Sequence, residues 1–339
     1  MRIAIITRPD DASPKVLAIS LQKLIKKCHV ECDVFYEHGF LMRRVPLFGR
    51  FKQVGRIHFT LKRYLKHYPR DKRFLLKLKG YDAVIISDCE PNGFWKHHFG
   101  IEKLKRILKK PLAFHEVYYL GNVPTHIERL KRQGHPTMER YDWHLAVTDT
   151  TEVRSLPKPP WSVVGLNLEG EGLELGHKKD FLAIVDFERK GYETFRDDQI
   201  RVLDKLGLPY VAFEKRMTMP EIRDYYKKAS LIFLSFPETF GVPIAECLAC
   251  GTAVFTPSSS WPMSWRLDEK PQPNSEGKLP NCFVEYETPI KLEKDLLEFY
   301  HNWDNEKTPE KTQKIFLDTY PHFFYGNLDG VKAFIKTIK

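Results

Sequence analysis

The sequence predicts an α/β protein made of two doubly wound parallel-sheet domains, and three observations lead there. Strand-like apolar runs alternate with helix-like segments along the chain, the pattern of repeated βαβ units. A proline-rich break, Leu156-Pro157-Lys158-Pro159-Pro160, separates two such series. Prolines at this density continue neither a helix nor a central strand. The length of 339 residues also suits two cores of ordinary size better than one.

The first series opens with a buried strand at Ile3 to Thr7, a helical pattern from Lys15 to Lys27 and a strand from Cys32 to Tyr36. After a basic, helix-like region come a strand at Ala83 to Ser87, a helix at Gly100 to Lys109, and strands at Leu112 to His115 and Leu145 to Thr148. The second series runs strand Phe181 to Val185, helix Glu193 to Leu206 and strand Tyr210 to Phe213. Next is a helix opening at Thr218, where Thr218 and Glu221 have capping-box spacing. Strand Leu231 to Ser235, helix Ile244 to Cys250 and strand Ala253 to Thr256 follow. The stretch from Pro262 to Pro280 is polar and proline-rich, which predicts a surface insertion. Helices at Ile290 to His301 and Pro309 to Asp318 precede a tail. The implied units are residues 1–156, 161–320 and 321–339.

Apolar residues make up 42% and aromatics 13%, enough for ordinary folding. No apolar run approaches the roughly 18 residues needed to span a bilayer. The N-terminal run is too short for a signal-peptide core, so the expected location is cytoplasmic. Of six cysteines, the close pairs Cys28/Cys32 and Cys247/Cys250 have no partner pair at zinc-site spacing, and free buried thiols are expected.

The net charge of +10 is concentrated. Thirteen basic residues, from Arg43 and Arg44 through Arg50 and Lys52 to Lys79, fall between positions 41 and 80, with Asp71 the sole acid. Phe48, Phe51, Phe59, Tyr64 and Phe74 are interleaved. Such a segment suits an anionic partner: a membrane surface, an acidic acceptor or nucleic acid.

The stretch from Phe236 to Gly251 carries the chemistry. It reads as a strand end, a tight loop through Gly241, then a helix, with Pro243 suited to the first turn and Gly251 to the C-terminal cap. Ligands of open α/β sheets bind beyond the carboxyl ends of the strands. The free amides of Phe240, Gly241 and Val242 would suit an anion such as a diphosphate. Glu238 and Glu246 bracket that position. A carboxylate is a poor phosphate ligand but a good acceptor for vicinal hydroxyls, so the pair suits sugar hydroxyls on both sides of a phosphate. A nucleotide sugar has that form.

These residues resemble the signature of retaining GT-B glycosyltransferases of family four: a Glu, seven residues and a second Glu, with an internal Phe-Gly and a small-residue run ending Cys-Gly-Thr. Glu238, Glu246, Phe240-Gly241 and Ala249-Cys250-Gly251-Thr252 match. Weaker likeness extends from about Asp180 to Tyr300. The resemblance implies two facing Rossmann-like domains, an N-terminal acceptor-side domain (1–156) and a C-terminal donor domain (161–320), with 321–339 crossing back as a helix. It implies that Glu238 contacts the donor sugar and Glu246 the ribose. Arg189 and Lys190 stand where the family neutralises the diphosphate, although the usual Gly-Arg is replaced within Asp186-Phe187-Glu188-Arg189. Lys215 and Arg216 are reserves. His115, followed by Glu116, resembles a first-domain His-acid pair that approaches the donor sugar. His97 and His98 read as surface residues. Arg8-Pro9-Asp10-Asp11 occupies the place of the family's glycine-rich loop.

The function this implies is transfer of a glycosyl group from a nucleotide-diphosphate sugar, such as a UDP- or GDP-sugar, to a hydroxyl of a glycan or lipid-linked acceptor, with retention. No cofactor beyond the donor substrate is expected. No metal is expected either, because no Asp-x-Asp motif ends a strand. Two alternatives stand beside it. One is a nucleic-acid-modifying glycosyltransferase or nucleic-acid binder, which no recognisable nucleic-acid motif supports. The other is a non-catalytic sugar-nucleotide binder.

Overall fold

The computed structural model describes residues 1–8, 13–36, 73–88, 99–116, 140–148, 160–176, 178–215, 217–267 and 278–338. Two parallel sheets with helices on their faces account for most of them.

The first sheet contains β1 (Arg2–Thr7), β2 (Glu31–Tyr36), β3 (Ala83–Ser87), β4 (Leu112–Glu116), β5 (Trp143–Ala146) and β6 (Trp161–Val163), in the order β2-β1-β3-β4-β5-β6. All its neighbours pair parallel, with Ile3 opposite both Cys32 and Ala83. The apolar runs explain why. Successive strand side chains point to opposite faces, and here both faces are covered. Ala4, Ile6, Val84 and Ile86 enter one core, while Ile3, Ile5, Ala83 and Ile85 enter another beneath α1 (Ser13–Lys27). The helix α2 (Phe99–Leu108) supplies Ile101 and Leu104 to the former.

The second sheet, ordered β11-β10-β9-β7-β8, is likewise all parallel. Its strands are β7 (Ala183–Val185), β8 (Tyr210–Ala212), β9 (Leu231–Phe233), β10 (Ala253–Thr256) and β11 (Phe283–Glu285). Ala183, Val185, Leu231, Phe233 and Phe255 face a core shared with α3 (Glu193–Leu206) and α6 (Pro289–His301). Ile184, Ile232 and Val254 face the opposite way, toward α5 (Val242–Ala249) and α7 (Lys307–Thr319). The helix α4 (Met219–Lys228) opens with the predicted capping box at Thr218 and Glu221 and packs beside α5.

Two findings differ from the sequence expectations. The three-residue strand β6 pairs with β5 in the first sheet, so the first layer extends past the proline-rich break instead of ending at 156. Second, the start of the expected surface insertion is core. Trp265 is fully buried, stacked on Phe240 and edge-on to Phe323, and its indole N–H donates to the Phe240 carbonyl at 2.6 Å. Met263, two residues earlier, is buried among the first-layer residues Ile86, Phe114 and Ala146. Apolar residues embedded in a polar, proline-rich stretch gave no periodicity to read; residues 268–277 lie outside the described set. The tail, expected to cross back as a helix, contains α8 (Leu328–Ile335), which packs on α1, β5 and β6. Val331 and Phe334 thereby enter the first-layer core.

Two crossing segments run side by side where the layers join. Leu166 and Leu168 donate main-chain bonds to His322 and Phe324, Asn327 donates to Val164, and Asn167 pairs antiparallel with Tyr325. Gly165 (φ +67°) and Gly326 (φ +77°) permit this approach: a Cβ at Gly326 would lie 2.3 Å from Leu24 Cδ2.

Candidate functional site

The site grows from the carboxyl end of β9. Strand β9 runs into Leu234, Ser235 and Phe236, and this exit is fixed by Gln199 of α3. The Gln199 side-chain amide donates to the Leu234 carbonyl (2.9 Å) and to the Tyr286 hydroxyl (2.7 Å), while Ser235 donates to Gln199 Oε1 at 2.8 Å. The chain then turns through Glu238 and Gly241 into α5. Gly241 has φ +62°, a conformation that side chains resist. A Cβ there would meet Ile244 Cδ1 at 2.9 Å and Glu238 Oε2 at 3.4 Å. The Glu238 carboxylate therefore lies against the amino end of α5.

That amino end has the donors an anion needs. Gly241 caps the helix without a side-chain hydrogen bond. Its carbonyl accepts from the Ile244 and Ala245 amides, and Pro243 has none to offer. Among the described residues, the amides of Phe240, Gly241 and Val242 donate to nothing. Three consecutive free N–H groups at a helix start form an anion-binding cradle. The Phe240 side chain is not available to a ligand: it is buried between Trp265 and Phe323, so only its main chain contributes.

On the adjacent strand, β7 ends at Asp186, whose Oδ1 accepts from the Phe187 amide at 2.7 Å. Arg196 fixes this exit by donating to the Asp186 carbonyl at 3.1 Å. The exposed Arg189 guanidinium lies 4.4 Å over the Phe236 ring, and Lys190 is exposed beside it. Burial pushes Glu238 up to about 7, the neighbouring Asp186 carboxylate adds to this, and Arg189 opposes it. Burial likewise lifts Asp186 to about 6, opposed by the Phe187 amide, Arg189 and Arg196. Two half-buried carboxyls, both opposed by Arg189, thus titrate near neutrality. Asp186 was not singled out from sequence, although it lies in the segment where the resembling family's Gly-Arg is absent.

Glu246 sits one turn inside α5 and is buried. Its Oε1 receives both Nε and Nη2 of Arg223 from α4, at 3.0 and 2.7 Å. Arg223 Nη1 continues to Glu171 at 3.2 Å, and Glu171 is ion-paired with Lys23 of α1. Burial raises the Glu246 pKa, with Arg223 opposing. Arg223 was invisible from sequence because 23 residues separate it from Glu246 and nothing in its own segment marks it.

The remaining candidates lie apart. His115, at the end of β4, is buried; its Nδ1 is 3.1 Å from Ser87 Oγ and its Nε2 has no partner among the described residues. Burial, reinforced by His144, holds its pKa down at about 3, so the imidazole is neutral. Arg8 ends β1 and pairs with buried Asp88 at 2.9 Å. Lys215 is exposed. Arg216, His97, His98 and basic residues 43–72 lie outside the described residues. Cys32, Cys247, Cys250 and Cys282 are buried free thiols, and Cys28 is half-buried and free. No helix among the described residues is long and apolar enough to cross a membrane.

Two parallel-sheet α/β layers bridged by a returning C-terminal helix, with a candidate anion cradle at a helix start, define the GT-B architecture, which glycosyltransferases and epimerases share. Among solved structures, an alpha-glucosyltransferase in complex with UDP superposes with a TM-score of 0.58, 12% identity and coverage of 100% of this chain and 99% of that one. Phytolacca americana UGT2, complexed with UDP-2fluoro-glucose and pterostilbene, gives 0.51 and 10%, over 99% of both chains. In sequence, "Putative glycosyltransferase ORF313" of Acidianus filamentous virus 1 is 30% identical over 103 residues. That alignment spans 27% of this chain and 30% of the relative. No protein-family model matches.

Proposed function

We propose that the protein transfers a sugar from a nucleotide-diphosphate donor to an acceptor hydroxyl. The observation carrying this reading is the row of three amides at Phe240, Gly241 and Val242, unbonded among the described residues, with the Glu238 carboxylate against them. The diphosphate lies on the amides, and Arg189 with Lys190 offsets the charge that builds on the leaving group. Glu238 accepts from hydroxyls of the sugar, and the Glu246–Arg223 pair bounds the ribose side. By the family resemblance, the neutral His115 is the first-layer group assigned to the sugar. The resemblance to family-four enzymes supports retention, in which the departing phosphate takes the acceptor proton and the protein's work is positioning and charge stabilisation.

UDP is the first probe, being bound in the alpha-glucosyltransferase of like fold. Calorimetric titration is expected to show UDP and a UDP-sugar binding to the parent protein. Gly241→Ala, which puts a Cβ into the cradle and strains a positive φ, is expected to weaken both at least tenfold. Undiminished affinity in a folded Gly241→Ala protein would place the donor elsewhere. Donor binding without hydrolysis or transfer across an acceptor panel would favour a non-catalytic binder, and sugar inversion at C2 would favour an epimerase.

The acceptor side is read from charge. The basic-aromatic segment at 41–80 supports docking on an anionic membrane surface, each basic residue contributing about 1 kcal/mol there. Neutralising Arg43, Arg44, Arg50 and Lys52 is expected to abolish retention on phosphatidylserine vesicles while leaving UDP affinity unchanged. Salt-sensitive retention on DNA but not on vesicles would favour a nucleic-acid acceptor instead.

A further inference from the structure

Three aromatic side chains near the proposed donor site have no part in the reading so far. Tyr192 and Phe195 begin α3, and Trp261 follows β10. Trp261 meets Phe195 edge-to-face at 4.8 Å between centroids and Tyr192 at 5.9 Å. Tyr192 and Phe195 are each 37% exposed and belong to none of the buried clusters. Single exposed aromatics are commonplace on protein surfaces. Three in mutual contact, contributed by two separate segments, form a continuous aromatic patch.

The main chain ties this patch to the site on both flanks. The Tyr192 amide donates to the Arg189 carbonyl at 2.9 Å, so the turn carrying the phosphate-side cation also carries the first ring. On the other flank, the segment continuing from Trp261 is bound to the Glu238 loop: the Ser264 amide donates to the Thr239 carbonyl at 3.1 Å, and Trp265 to that of Phe240. The same segment puts Met263 into the first-layer core. Trp261 therefore lies on the segment that is bonded to the Glu238 loop and that reaches the first-layer core through Met263.

We infer that Tyr192, Phe195 and Trp261 form an acceptor subsite that stacks on the ring of a neutral carbohydrate. This rests on the donor reading above, which puts the sugar at Glu238 and hence the receiving group just beyond it. One face of a pyranose carries C–H groups polarised by neighbouring oxygens, which suits the electron-rich face of an aromatic ring. The surroundings suit a hydroxylated ring better than a lipid tail, since the half-buried Ser258 and Ser260 hydroxyls, 2.8 Å apart, lie on Trp261's own loop. The charges on the stretch carrying Tyr192 and Phe195 are mixed, with Glu188, Glu193 and Asp197 beside Arg189, Lys190 and Arg196, unlike the one-signed basic surface that a nucleic-acid strand favours.

The test is retention of the full-length protein, saturated with UDP, on an array of neutral oligosaccharides that also carries single-stranded oligothymidine. The parent is expected to be retained on at least one neutral glycan. The double variant Tyr192→Ala/Phe195→Ala should lose that retention at least tenfold while its UDP affinity stays within twofold. Tyr192→Phe/Phe195→Tyr, which keeps both rings, should retain it. Absence of glycan retention by the parent, or equal retention in the alanine variant, overturns the inference. So does ring-dependent retention on oligothymidine alone. A parallel fall in UDP affinity would assign the rings to the donor pocket and overturn it as well. A parent that binds no UDP fails the donor reading itself, a result separable from the glycan arm.

Discussion

Glu238 combines two features that ordinarily conflict: the proposed reaction asks it to accept from ligand hydroxyls, and it is shielded from water beside another carboxyl. Its folded-state pKa of about 7 lies above the ordinary 4.5. The folded protein therefore holds a proton that the unfolded chain releases, and stability falls as pH rises from about 4.5 to about 7. Glu238→Gln removes this dependence. At pH 8 the variant is expected to be more stable than the parent by roughly 1–3 kcal/mol, with the difference vanishing at pH 4, as urea titration at both values would show. A constant gain across that range would mean the benefit comes from packing and not from charge. Glu238 was legible in sequence because a motif marks it. Asp186 was not, because only the pairing of β7 with β9 brings the two carboxyls together.

The helix α5 is eight residues long and apolar on nearly every side, so its orientation depends on its ends and on one ion pair. At the C-terminal end, a Cβ at Gly251 (φ +73°) would lie 2.6 Å from the Pro309 carbonyl. The following Thr252 hydroxyl reaches the Tyr226 and Ala229 carbonyls at the end of α4 and accepts from the buried Lys178 at 2.9 Å. The matched Cys-Gly-Thr run is therefore explained by packing. Mid-helix, Glu246 anchors Arg223 of α4. Glu246→Ala would leave Arg223 with Glu171 alone, and breaking a buried pair from one side typically costs about 3–5 kcal/mol. A loss near the lower end is expected in urea unfolding. Glu246→Leu/Arg223→Met, which removes both charges, is expected to recover most of it. No recovery in the double variant would mean that the loss comes from something other than the stranded charge.

At the scale of the molecule, the layers are joined by two antiparallel crossing segments, by α8 returning to the first core, and by Met263 and Trp265 reaching each side. Gly326 is one of two tight points in the crossing, with Gly165 the other. Gly326→Ala both strains a positive φ and drives a methyl group into Leu24, whereas Gly207→Ala, at φ +63° with open space around it, brings strain alone. Gly326→Ala is expected to lower Tm by roughly 2–8 °C and Gly207→Ala by less, measured by scanning calorimetry. Equal shifts would show that the crossing yields without cost.

The sequence by itself determined the alternation of strands and helices, the parallel sheets and the loop-helix unit from Phe236 to Gly251. Those follow from local periodicity, apolar runs and turn chemistry, which neighbours along the chain carry. Only the tertiary structure decided that Trp161–Val163 completes the first sheet, that Met263 and Trp265 are core, and that Asp186 and Arg223 stand beside the two glutamates. Each of these depends on contacts between residues far apart in the chain, and no local pattern encodes such a contact.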